Sequence, residues 1–167
     1  VALKAPIAAP VFTGDITVAG GVYLGGTGAA NKLDYYEVGT ITLTTSDAIT
    51  GGTTGVTTTG YYTKIGSQVT LHGSFVNITT TGMTSTAPLR IQGLPFASDG
   101  TMNQYLGSAQ VDNINLQGGR TYAYFRIARG VNYGTFRQSG SAVVDTAIDC
   151  GDITSGVSEM DFSITYT

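Results

Sequence analysis

The sequence predicts an all-β protein: a short β-rich stem over residues 1–39, then an antiparallel β-sandwich of jelly-roll type over residues 40–167. Three observations carry this reading. Asp, Glu, Lys and Arg make up only 11% of the chain, against about 25% in ordinary soluble domains. Glycine, at 24 residues, is exceeded by threonine, at 27; both are poor helix formers, and threonine suits strands. Several stretches alternate apolar and polar residues with Gly-containing turns between them, and none carries the apolar period of a three-turn helix. An apolar fraction of 41% at a net charge of −3 excludes a disordered chain.

In the stem, Pro6 and Pro10 bias Ala5 and Ala9 toward extended backbone. Phe12, Gly14, Ile16, Val18, Gly20, Val22 and Leu24 then alternate with residues such as Thr13, Asp15 and Thr17. This is a strand pattern, with Gly20-Gly21 as its turn. So short a ribbon cannot bury its own apolar row. It needs the following domain or copies of itself. Gly25-Gly26-Thr27-Gly28 reads as a flexible joint.

Beyond Thr40 the elements follow in order. Ile41 and Leu43 alternate with threonines. Residues 46–60, rich in Thr and Gly without period, read as a loop. Val69, Leu71 and Phe75 share a strand face after the Gly66-Ser67 turn. Leu89 and Ile91 lead into Gly93-Leu94-Pro95-Phe96, where proline ends the ladder. Residues 105–117 form a mixed-face strand closed by Gly118-Gly119, and residues 121–129 form another. Val143, Val144 and Ile148 mark a shorter one. In the last strand, Met160, Phe162, Ile164 and Tyr166 face the core, with Glu159, Asp161, Ser163 and Thr165 opposite. Phe75, Ile91, Phe125, Ile127, Phe162 and Ile164 are the expected core.

Several functions are disfavoured. An acidic pI near 4.8 argues against nucleic-acid binding. No apolar run reaches the ~18–20 residues of a membrane-spanning helix, so membrane insertion is not expected. The single Cys150 excludes an internal disulfide framework and a cysteine-rich zinc site. The chain opens at Val1 without a basic-then-apolar leader, and a fragment or processed product is expected.

Four stretches resemble one family. Residues 3–14 read Leu-Lys-Ala-Pro-Ile-Ala-Ala-Pro-Val-Phe-Thr-Gly, similar to a segment common in bacteriophage tail-fibre stems. Residues 23–40, with Asn31-Lys32-Leu33-Asp34-Tyr35-Tyr36-Glu37 at their centre, resemble the junction of tail-fibre and tailspike proteins. Gly60-Tyr61-Tyr62-Thr63-Lys64-Ile65-Gly66 and Ile91-Gln92-Gly93-Leu94-Pro95-Phe96 resemble the motifs that follow it. Tyr35, Val38 and Ile41-Thr42-Leu43 depart from the usual residues, and nothing past Phe96 carries the resemblance. The resemblance implies a trimeric virion appendage with a β-rich domain at its distal end. Other tail proteins would attach through the N-terminal side.

Within residues 97–167, Tyr and Arg are densest around the strand at 121–129. There Ala123, Phe125 and Ile127 take the core side, while Tyr122, Tyr124, Arg126 and Ala128 take the other. Asn132 and Tyr133 lie in the turn from Gly130 to Gly134. Arg120, Arg126, Arg129 and Arg137 are four of the eight basic residues. Tyrosine stacks on sugar rings and arginine takes hydroxyl or acidic groups. The predicted ligand-binding residues are therefore Tyr122, Tyr124, Arg126, Asn132 and Tyr133, for a bacterial surface glycan or an outer-membrane receptor. The competing reading is a trimer interface, where Tyr and Arg are also enriched.

No catalytic residue, cofactor or metal is assigned. Glycan hydrolysis needs two carboxylates about 5–9 Å apart. Asp145 and Asp149 would share a strand face ~13 Å apart, and Glu159 and Asp161 sit on a polar face. Asp145, Asp149 and Asp152 lack the dense spacing of a Ca²⁺ loop. His72 has no second ligand at metal-site spacing, and no nucleophile elbow or phosphate loop accompanies it. The expected function is a tail-fibre tip that binds the host surface without chemistry. The alternatives are a structural fibre or decoration protein and, less favoured, a polysaccharide-degrading tailspike domain.

Overall fold

The computed structural model describes residues 13–33, 35–47 and 52–167. Residues 3–12 of the stem-like segment, Phe12 in its apolar row, and Asp34 lie outside them. The chain divides into two compact units, 1–35 and 36–167. It is all-β. The strands are β1 Val22–Tyr23, β2 Lys32–Leu33, β3 Tyr36–Ser46, β4 Thr54–Ile65, β5 Gln68–Ile78, β6 Arg90–Gln92, β7 Gln104–Asp112, β8 Tyr122–Ala128, β9 Tyr133–Gly140, β10 Val143–Ala147 and β11 Ser158–Tyr166. The only helical elements among the described residues are two three-residue 3₁₀ turns, Ala29–Asn31 and Cys150–Asp152. No helix there is long and apolar enough to cross a membrane.

In the first unit β1 pairs antiparallel with β2, Val22 opposite Leu33 and Tyr23 opposite Lys32. The Leu24 amide donates to the Asn31 carbonyl at 2.8 Å, closing the connection. This corrects the expected ribbon about Gly20-Gly21. Residues 13–21 hold no strand, and the hairpin connection is the Gly25–Asn31 stretch. Gly20 and Gly21 take φ of 96° and 94° beside a turn at residues 19 and 20, but no ladder among the described residues joins the segments on either side of them. Ile16, Val18, Val22 and Leu24 are exposed.

In the second unit the antiparallel strands close into one barrel. The order around it is β9-β6-β3-β4-β5-β11-β7-β8, and β8 pairs back onto β9. The expectation of two packed sheets is corrected by that closing pair. Period-two patterning specifies one buried face per strand and suits a sandwich or a barrel equally. The strand that decides between them is β9, whose residues carry no clear apolar alternation of their own. One edge of β9 pairs with β8. Its other edge pairs first with β6 and then, further along, with β10, which therefore stands outside the ring.

The loop expected at 46–60 is shorter, because β4 begins at Thr54. Its threonines pair with those of β3, Thr57 opposite Thr44 and Thr59 opposite Thr42. Threonine on both faces hides the alternation while keeping strand propensity. The strand expected at 105–117 ends at Asp112, where Asn113 takes a positive φ of 57°.

The barrel is filled by side chains. Phe75, Ile91, Phe125, Ile127, Phe162 and Ile164 are all buried, with Leu43, Leu71, Phe136, Met160 and Tyr166 among them. Each large side chain withdrawn from water contributes about 1.5–3 kcal/mol. Phe162 stacks on Phe125 with centroids 4.0 Å apart, and Phe136 meets both edge-on. The Tyr166 hydroxyl donates to the Phe96 carbonyl at 3.1 Å, and burial pushes its pKa up to about 12.

Candidate functional site

Strand β8 presents Tyr122, Tyr124 and Arg126 outward because Phe125 and Ile127, of opposite parity, fill the core. Across the β8–β9 pair, Tyr122 faces Ser139, Tyr124 faces Arg137 and Arg126 faces Thr135. Thr135 in turn faces Arg90 on β6. On the other side of β8, Arg126 faces Leu106 and Tyr124 faces Ser108. Of the sequence-predicted residues, Tyr122, Tyr124, Arg126 and Tyr133 thus share one outer wall of the barrel, but not one role.

Tyr122 is 54% exposed. With Leu106, Tyr124, Ser139 and Asp145 it lines a shallow depression of about 400 Å³. Tyr124 is half-buried, and its hydroxyl donates to Asp145 Oδ2 at 2.6 Å. Arg137 donates to the same oxygen through Nε at 2.9 Å and a terminal nitrogen at 2.6 Å. The Tyr124 and Arg137 hydrogen bonds hold the Asp145 carboxyl below the usual carboxylate range. Desolvation, then the bond to Asp145, raises the Tyr124 phenol. Tyr124 is therefore a wall of the site as much as a ligand platform.

Arg126 and Tyr133 belong to a second depression of about 150 Å³, with Arg90, Thr135 and Arg137. The Arg90 guanidinium lies over the Tyr133 ring at 4.1 Å. Asn132 is exposed in the β8–β9 turn and lines neither depression. The basic cluster expected from Arg120, Arg126, Arg129 and Arg137 is also redrawn. Arg120 is tied to the carbonyls of Val144 and Gln117, and neither it nor Arg129 lines a depression with Arg126. Arg90 takes their place. The sequence reading missed it because only pairing through β9 brings residue 90 beside residue 126.

The carboxylates weighed for hydrolysis or metal binding have other surroundings. Asp145 is engaged as above. Asp152 is buried, accepting from Gln138 Nε2 and the Asp149 amide, both at 3.0 Å. Desolvation first, and then Asp152, raises the Asp149 carboxyl. Glu159 and Asp161 stand on the solvent face of β11. Among the described residues no group of three His, Cys, Asp or Glu is arranged to hold a metal ion. His72 is exposed on β5, opposite Tyr61 and Ser163.

Compared with known protein families, curated proteins and solved structures, the chain gives no match. What the site offers chemically is an aromatic platform beside a basic recess. The Arg137–Asp145 pair is shared between them, Arg137 lining the recess and Asp145 the platform.

Proposed function

We propose that this chain is the distal tip of a bacteriophage tail fibre, a homotrimeric virion component that attaches to the host surface by binding a glycan, without chemistry. The stem and junction motifs support the family, and other tail proteins would join through the N-terminal side. One observation carries the rest: the two sides of the barrel have opposite characters. The outward positions of β3, β4 and β5 bear no Asp, Glu, Lys or Arg, and among them Tyr36, Val38, Tyr61, Ile65 and Val76 are exposed. Across the barrel, β8 and β9 bear the tyrosines and arginines. An uncharged, threonine-rich wall with exposed Tyr, Val and Ile side chains among its polar ones suits contact between copies. The aromatic and basic wall suits a hydroxyl-rich, charged ligand.

The experiment is host-cell binding by the chain and by Tyr122→Ala, with melting measured on both. Stacking on Tyr122 should supply about 0.5–1.5 kcal/mol, a loss amplified by three sites on a multivalent surface. Lost attachment at unchanged melting supports the reading. Attachment to no cell at all favours a purely structural appendage. Unchanged attachment moves the site elsewhere on the tip.

A further inference from the structure

The recess beside the platform holds three guanidinium groups and few counter-charges. Thr135 on β9 stands between Arg90 on one edge and Arg126 on the other, paired to each. Arg137 follows two residues later on the same face. Like charges on neighbouring strands repel, so such a grouping calls for anions. Arg137 has one in Asp145, at 2.6 Å. Arg90 meets the face of Tyr133 instead of a carboxylate. Arg126 makes no ion pair among the described residues, and its Nε is buried without a hydrogen-bond partner. A buried donor left unsatisfied is costly. A bound anion would relieve the repulsion among the three guanidinium groups.

We infer that Arg90, Arg126 and Arg137 form an oxyanion pocket that takes the acidic group of a charged surface glycan. This rests on the host-binding reading above and gives it a ligand class. A volume of about 150 Å³ suits a carboxylate, sulfate or phosphate with the edge of its ring, not a whole oligosaccharide. Guanidinium groups present N–H pairs that match two oxygens of such an anion. Pro88, Ala128 and Ala147 complete the walls with apolar surface, which strengthens the attraction by excluding water. The neighbouring sugar would rest on Tyr122, beyond the Arg137–Asp145 pair.

The test is titration of ¹⁵N-arginine-labelled protein, reading the Nε–Hε signals, with sodium glucuronate, sodium sulfate, inorganic phosphate and glucose at constant ionic strength. Saturable movement of the Arg126 signal by an oxyanion but not by glucose is expected, and the tightest probe names the acidic group. Arg126→Gln, and Arg90→Gln as a second variant, should weaken that binding about tenfold at unchanged melting. The pocket is overturned if no oxyanion saturates, or if both variants bind as tightly as the parent. Whole-cell binding separates the two readings. Oxyanion uptake without attachment keeps the pocket and removes the receptor role. Attachment without oxyanion uptake does the reverse.

Discussion

Gly134 lies beneath the ring of Phe125: a Cβ built at position 134 would stand 2.0 Å from the ring's Cζ. The ring has little room to retreat, being fully buried, stacked on Phe162 at 4.0 Å and edge-on to Phe136 at 5.0 Å. Gly134 pairs with Ile127 across β8–β9, the contact that closes the barrel. Gly134→Ala should therefore overpack the core and destabilise the protein by about 1–3 kcal/mol. A thermal melt should fall by roughly 2–4 °C per kcal/mol lost. A variant as stable as the parent would mean that the β8–β9 contact is looser than this packing requires.

The Asp145 carboxyl, lowered by Tyr124 and Arg137, makes stability depend on acid. In the window between its folded and unfolded pKa values the unfolded chain binds more protons. The contribution is thus present above the ordinary carboxylate range near pH 4, and is lost as pH falls through the lower folded value. Asp145→Asn should cost at most about 1 kcal/mol near pH 7, because the carboxylate is 38% exposed and solvent screens the pair. The gap between parent and variant should close in acid. Asp99 is also lowered, to about 2, by the Thr101 hydroxyl and then Tyr105, so only this difference between proteins isolates Asp145. A gap that stays constant from pH 7 to pH 2 would contradict the assignment.

What the sequence revealed of this fold was set by whether a strand carries its own pattern. The last strand, with Met160, Phe162, Ile164 and Tyr166 inward, was readable because its inward and outward residues differ in kind. So was the division of β8 into Phe125 and Ile127 against Tyr122, Tyr124 and Arg126. In β4, threonines on both faces erased the contrast. In β9, inward Gly134 and Gln138 replaced the apolar residues that would have announced a strand. Gln138 is buried because it is satisfied, donating to the Ala147 carbonyl and Asp152 and accepting from the Gln117 amide. Losing β9 concealed both the closure of the barrel and the approach of Arg90 to Arg126. The Tyr and Arg wall was legible in composition; its partition into platform and recess needed the register.

Cys150 should be chemically silent in the folded protein. It is 2% exposed, its sulfur lies 3.7 Å from that of Met83, and burial, then Asp47, pushes the thiol up to about 11. Thiol reagents attack the thiolate, so at pH 8 the native protein should label only as fast as it opens. Full labelling should appear on adding denaturant. Rapid stoichiometric labelling of the native protein would contradict this burial.

The stem unit should drive assembly. Ile16 and Leu24 are each 59% exposed and Val22 is 42% exposed, in a unit whose only ladder among the described residues is the two-residue pair of β1 and β2. So short a pair is marginal in water by itself. Burying these side chains against copies of the same segment would contribute about 1.5–3 kcal/mol for each large one, per chain. In the proposed trimer, three chains would multiply that gain around one axis. Light scattering should therefore give three times the 17.3 kDa chain mass, unchanged on dilution. Leu24→Asp would place three carboxylates around the axis and should shift the population to monomers. The barrel's own melting transition should survive that change, since Leu24 is exposed and belongs to the other compact unit. Tyr61→Asp tests the uncharged wall separately. If it also releases monomers, β4 belongs to the subunit seam; if only Leu24→Asp does so, the stem alone holds the trimer. A parent protein that runs as a stable 17.3 kDa monomer would overturn the assembly.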